Sequence, residues 1–279
     1  MQQSLKKAMH GNREDGSGRM NADQMKFYKA LKDAVDGSNT NSPFTRIVVP
    51  KCFFLNARGG TGKTFSLNQV LNYVRLIDAD SIALAVAFTG IAATLLKGGR
   101  TFNSRFKFPI KADKDTTCNV SKGSGLAKLI KKCKVIVWDE APMSDSVLVE
   151  ALDRLLKDLM QNNLPFGGKV VLFSGDFRQL PCVKPGANAA QIVKASIKSS
   201  HLWSKFKVYT LSENMRVKMN GDNPKLLEFD DWLQRLGDGK PPCHKGTDYV
   251  TLPSGICTDI EQDKTENLVG ERGKLIQYL

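Results

Sequence analysis

The sequence predicts an α/β fold, a mostly parallel sheet with helices on its flanks, on three observations. Short β-branched or apolar runs recur at residues 52–55, 82–88, 135–138, 170–173 and 207–211, each followed by polar or glycine-containing residues. Between them, apolar residues recur at helical spacing, as in Phe65, Leu67, Val70, Leu71 and Val74. The first run enters a glycine-rich loop that opens directly into that helix, the strand–loop–helix order of parallel βαβ units.

Residues 1–20 are polar and aperiodic and read as a disordered lead-in. Helical spacing then starts at Asn21, an N-cap residue type, and continues through Met25, Tyr28, Ala30, Leu31 and Val35. Gln24 falls in its first turn, where a glutamine is ordinarily a solvated helix residue. Gly37 to Pro43 is a linker of turn-forming residues.

The loop that follows the first strand is Ala57-Arg58-Gly59-Gly60-Thr61-Gly62-Lys63-Thr64. Backbone N–H groups in such a loop and at the helix N-terminus converge on one anion. Gly59, Gly60, Thr61 and Gly62 supply the loop, Lys63 a charge for the outer phosphates, and the Thr64 hydroxyl a hard oxygen for Mg²⁺. Ala57 stands where the pattern has its first glycine. A chance match is the alternative, and the strand and helix on either side argue against it.

After the second run, Thr89-Gly90-Ile91-Ala92-Ala93 reads as a turn into a short helix. In Thr101 to Phe108 aromatic residues alternate with Arg, Lys, Ser and Asn. That mixture suits a channel for single-stranded nucleic acid, and equally an amphipathic edge strand. Residues 111–124 read as loop. Asp139 and Glu140 end the third run, at the carboxyl end of a strand, where parallel sheets hold ligands. One carboxylate there can hold Mg²⁺ and the other can activate water; an acidic N-cap pair is the plainer reading. A helix is expected from Ser146 to Met160, and Gln179 follows the fourth run as either a phosphate contact or a surface residue. The fifth run leads to Glu213-Asn214-Met215-Arg216 and then a helix through Leu226, Phe229, Trp232 and Leu236.

Lys and Arg number 41 against 28 Asp and Glu, a net charge of +13 that favours a polyanionic partner or a merely solvated basic surface. The six cysteines contain no C-x-x-C pair and read as reduced structural thiols. No apolar stretch reaches membrane-spanning length and no signal-peptide core opens the chain, so an intracellular protein without a membrane partner is expected.

Taken in order, the phosphate loop, Phe88 to Ala93, Gly98 to Thr101 with Ser104 to Phe106, Trp138 to Met143, Gly175 to Pro181 and Glu213 to Arg216 resemble the petite-integration-frequency DNA helicases. Within them the chain is similar to the group that includes the helicase of helitron transposons, and Met20 to Gln24 resembles an adenine-reading glutamine motif. The resemblance covers about residues 20–240. It implies a RecA-like P-loop NTPase domain of an ATP-dependent, superfamily-one helicase moving 5′ to 3′ on single-stranded DNA. Roles in repair, recombination and telomere maintenance, in the nucleus, come with it. By position, Gln24 would contact adenine, and Lys63, Glu140, Gln179 and Arg216 would carry catalysis, with Glu140 as base. Thr64 and Asp139 would hold Mg²⁺ beside ATP. Thr89, Gly90, Thr101, Phe102, Ser104 and Phe106 would lie along DNA.

Asn103 stands where the family has histidine, which removes one expected DNA contact. Residues 21–240 then form the first motor domain, and 241–279 read as a truncated tail without the second. Three activities are compatible with the motifs: a working helicase, a nucleotide- and DNA-binding module that does not unwind, and a P-loop kinase. The absence of a lid-like, arginine-rich acceptor region argues against the kinase.

Overall fold

Every run expected to be a strand is one in the computed structural model, which describes residues 20–37, 51–109, 113, 116–221, 223–243 and 249–253. The strands are β1 (Cys52–Ala57), β2 (Ala83–Ala87), β3 (Arg100–Thr101), β4 (Val135–Asp139), β5 (Val170–Gly175) and β6 (Lys207–Leu211). They form one sheet in the order β3-β2-β4-β5-β1-β6, parallel at every pairing. The helices are α1 (Ala22–Gly37), α2 (Lys63–Ile77), α3 (Gly90–Leu95), α4 (Phe102–Phe106), α5 (Gly125–Lys132), α6 (Ser146–Met160), α7 (Ala189–Ala195), α8 (Met215–Met219) and α9 (Pro224–Gly237).

The central strands are buried on both faces, as helix-covered parallel sheets require. Successive side chains alternate between two cores. Phe54, Ile136, Trp138, Val171 and Phe173 face one, with α4, α5 and α6. Phe53, Leu55, Val137 and Leu172 face the other, with Phe27 and Leu31 of α1 and Leu67, Val70 and Leu71 of α2. Parallel pairing in the order β4-β5-β1-β6 brings the carboxyl ends of these strands side by side, and that row of ends carries the candidate site.

The segment Thr101 to Phe108 differs from both of its sequence readings. Only Arg100 and Thr101 pair with β2, and Phe102 then starts a helix of five residues. Phe102 and Phe106 are 1% and 0% exposed. The Phe102 ring stacks on Trp138 at 3.7 Å between centroids, with 15° between planes. Burying these rings beside Trp138 removes apolar area from water at about 25 cal/mol per Å². They are therefore core residues with no face left for a base, which corrects the expectation that these two side chains lie along DNA.

Helices α5, α7 and α8 add to those expected from spacing; Ser124, Asn188 and Asn214 accept N–H bonds at their starts. The chain divides into two compact units, Met1–Gly221 and Asp222–Leu279. The sheet and both cores lie in the first. Helix α9 lies in the second and has no fully buried residue, so the boundary expected at 240 falls inside that unit. Of the expected lead-in, linker and tail, only Met20, Gly37, 241–243 and 249–253 are described, and Gly37 closes α1.

Candidate functional site

The glycine-rich loop leaves β1 and turns into α2. Gly60 and Gly62 sit at φ +82° and +81°, where an L side chain is strained. Two distant segments brace the loop at these glycines. A Cβ on Gly60 would lie 3.0 Å from Asn214 Cγ, and one on Gly62 2.5 Å from Gln24 Nε2. Asn214 accepts the N–H of Arg216 at 3.0 Å and of Val217 at 3.3 Å, which caps α8. The Arg216 N–H also donates to the Gly60 carbonyl at 3.2 Å, fixing α8 to the loop.

Lys63 opens α2 and projects between the two carboxylates at the end of β4. Its Nζ lies 3.0 Å from Asp139 Oδ1 and donates to Glu140 Oε1. Burial alone would lower the Lys63 pKa; the attraction of Asp139 and the bond to Glu140 outweigh it, so the net shift is upward and the ammonium stays charged. Asp139 is 2% exposed, and its Oδ1 also accepts the Ser174 hydroxyl at 2.8 Å and the Glu140 N–H at 2.9 Å. Glu140 adopts φ +54°, uncommon for a residue with a side chain and costing on the order of 1–3 kcal/mol. That turn ends β4 and delivers the second carboxylate to the same ammonium.

These groups surround a cavity of about 680 Å³, whose wall includes Gly59, Gly60, Gly62, Lys63, Thr64, Glu140, Gln179 and Arg216. Three expected site residues stand off that wall. Asp139 is behind it, held by Ser174. Thr61 is fully buried, its hydroxyl donating to the Arg58 carbonyl at 2.8 Å. Gln24 is 1% exposed and forms a capping box with Asn21: Gln24 Oε1 accepts the Asn21 N–H at 3.1 Å, and Asn21 Oδ1 the Gln24 N–H at 2.9 Å. Gln24 Nε2 donates to the Thr61 carbonyl at 3.0 Å. In this arrangement it is a strut beneath the loop.

The expected DNA residues lie on α3, β3 and α4. Thr89 caps α3, accepting the Ala92 N–H at 3.2 Å, and Gly90 is exposed at its first position. Thr101 is half-buried and Ser104 exposed. With Phe102 and Phe106 in the core, the exposed ring next to the expected DNA residues Thr89 and Gly90 is Phe88, at 38%. Sequence reading placed Phe88 and Asn214 in motifs without giving either a role, and gave none to Ser174. For Ser174 a signal existed: it is a hydroxyl directly after the apolar run Val170-Val171-Leu172-Phe173.

Asp139 and the Thr64 hydroxyl offer oxygen donors of the kind a hard cation takes, although among the described residues there is no cluster of three or more His, Cys, Asp or Glu that would hold a metal by itself. Mg²⁺ is commonly bound in this way, through one or two carboxylates, substrate phosphates and waters.

Residues 19–247 match the family model of the PIF1-like helicases. The ATP-dependent DNA helicase Pif1 of a Psychrobacter species is 31% identical over 190 residues, 67% of this chain and 28% of that protein. The crystal structure of Pif1 helicase from Candida albicans superposes with a TM-score of 0.62 at 25% identity, over 79% of this chain and 44% of that one. A Bacteroides Pif1 helicase in complex with ADP-AlF3 and single-stranded DNA gives a TM-score of 0.61 at 21% identity, over 79% and 46%. The chain thus spans less than half the length of these relatives. With a family match over most of its length and this sheet, the chain belongs to the PIF1-like helicase family.

Proposed function

We propose that this chain is the nucleotide-binding motor domain of an ATP-dependent DNA helicase that moves 5′ to 3′ on single-stranded DNA. We place its work in DNA repair, recombination and telomere maintenance in the nucleus. The observation that carries the reading is the Lys63 ammonium held between Asp139 and Glu140 on a cavity that Gln179 and Arg216 also line. The related helicase crystallised with ADP-AlF3 and single-stranded DNA supports it. No described helix is long and apolar enough to cross a membrane.

The residues divide the work. Backbone N–H groups of Gly59 to Thr64 and the start of α2 bind the phosphates. When phosphates enter, their charge competes with both carboxylates for Lys63; its transfer to the outer phosphates frees Glu140 to accept a proton from the attacking water. Gln179 orients that water and the terminal phosphate, and the Arg216 guanidinium offsets charge that develops there. Thr64 and Asp139 would hold Mg²⁺, which neutralises phosphate charge when bound. Ser174 keeps the Asp139 carboxylate aimed. Thr89, Gly90, Thr101 and Ser104 contact the DNA strand, and Phe88 offers the ring on which a base stacks.

The test is Mg·ATP binding by calorimetry together with DNA-stimulated hydrolysis. Lys63→Ala is expected to abolish both, because the loop's other cation, Arg58, donates to the Ser212 carbonyl at 2.9 Å and Lys63 is the one held by the acidic pair. Unchanged ATP affinity in that variant would remove the site assignment. Duplexes with a 5′ or a 3′ single-stranded tail test direction: opening only of the 5′-tailed substrate is the expected result.

A further inference from the structure

Three guanidiniums gather at the β3 edge of the sheet, which β2, β4 and β5 separate from the strand that feeds the phosphate loop. Arg75 lies in the last turn of α2, Arg100 begins β3, and Arg105 is on α4. Arg75 and Arg105 meet at one residue, Gly98, which holds φ +68°. Arg105 Nη2 donates to the Gly98 carbonyl at 3.5 Å, and a Cβ on Gly98 would lie 3.4 Å from Arg75 Nη2. Arg100 is two residues further along the chain and exposed.

What the cluster lacks is a counter-charge. Among the described residues none of the three arginines makes an ion pair. The Arg105 Nε is buried without a hydrogen-bond partner. Burial, followed by the like charges of Arg100 and Arg75, lowers the Arg105 pKa. Arg75 has a structural task as well, donating to the Ala83 carbonyl at 3.0 Å. A carbonyl satisfies a donor but does not cancel a unit charge, so the arginines as a group remain an uncompensated positive site. Exposed Lys97 and Lys107 extend it on either side in sequence.

We propose that Arg100 and Arg105, braced by Arg75, bind backbone phosphates of single-stranded DNA at the β3 edge, outside the nucleotide cavity. The guanidinium fork matches phosphate oxygens, and α4 carries Arg105 immediately after Ser104, a residue already proposed to touch the strand. The inference rests on the DNA reading above and extends the strand's path around the sheet edge.

The experiment measures affinity of the full chain for an oligo-dT strand, without nucleotide, across a salt series. Each lost phosphate contact on a single strand lowers the slope of log K against log salt by about 0.7. Arg100→Gln/Arg105→Gln is therefore expected to lower it by about 1.4, and Arg100→Lys/Arg105→Lys to restore it. A control, Lys122→Gln/Arg235→Gln, removes the same charge from exposed ion pairs elsewhere and should leave the slope unchanged. Arg75 is left intact so that its bond to Ala83 keeps the fold, which a melting curve checks. If the double variant behaves like the control while the parent chain binds DNA, the cluster proposal alone falls. A parent chain that binds no DNA overturns the underlying DNA reading with it. Inorganic phosphate at fixed ionic strength is the last arm: saturable binding that the glutamine variant loses, with no change in the DNA slope, would make this a free-phosphate site and overturn the proposal.

Discussion

Gly175 ends β5 beside the site, and replacing it with alanine tests how the reacting geometry is held. It sits at φ +155°, a region open essentially to glycine alone, and a Cβ there would lie 2.8 Å from Pro142 Cγ and closer still to Cδ. Pro142 is buried and follows the turn at Glu140, whose Cα is 3.6 Å from the same point. The backbone strain costs about 1–3 kcal/mol. Forcing the rigid ring aside costs about 1–3 kcal/mol more. Alanine's lower entropy in the unfolded chain returns roughly 0.4–1 kcal/mol. The net expectation is a loss of about 1–5 kcal/mol, read from the urea midpoint at unchanged slope. Because Pro142 and the Glu140 Cα both lie within 4 Å of the added Cβ, a displacement of the Glu140 turn by about 1 Å would also lower turnover on the order of 100-fold with ATP affinity kept. Gly186→Ala is the control: φ is +73° with nothing within 4 Å, so only the strain of about 1–2 kcal/mol remains. Equal stability losses in the two variants would refute the packing argument, and undiminished turnover in Gly175→Ala would refute its link to Glu140.

Further outcomes follow from neighbouring contacts. Phe102→Ala removes a ring stacked on Trp138 in the core and should cost about 3–5 kcal/mol in denaturant unfolding, with DNA affinity per folded molecule unchanged. Ser174→Ala deletes the hydroxyl that donates to buried Asp139, and the Mg²⁺ concentration needed for half-maximal nucleotide binding should rise about 10–100-fold; Ser174→Thr should keep it near the parent value. An unmoved Mg²⁺ midpoint in the alanine variant would separate Ser174 from the metal. Glu140→Gln should lower hydrolysis about 10²–10⁴-fold while calorimetry still finds ATP bound, since the carboxylate acts on water; parallel loss of binding would make Glu140 a structural partner of Lys63.

Much of the site was legible because it is made of chain neighbours. A strand that ends in Gly59-Gly60-Thr61-Gly62-Lys63-Thr64 builds a phosphate cradle from its own backbone. Asp139 and Glu140 stand at a strand end because four apolar residues precede them. The same local logic located the five longer strands, the first helix with its Asn21 cap, and the helix from Ser146 to Met160. Polar and aromatic residues with a choice of faces were not legible in this way. Thr101 to Phe108 has the composition of a binding strand, and its alternation alone leaves open which way the rings turn.

Spacing along the chain thus determined the parallel α/β fold and the order of phosphate loop, acidic pair and trailing arginine, since backbone preference and burial period are properties of consecutive residues. Tertiary structure decided what meets across the sheet. Trp138 drew Phe102 inward, Ser174 reached Asp139 from the adjoining strand, Gln24 became a strut under Gly62, and Arg75 came to share Gly98 with Arg105. Those partners are 35 to 38 residues apart in the first three cases, and the packing of strands and helices brings them together through contacts that no local pattern encodes.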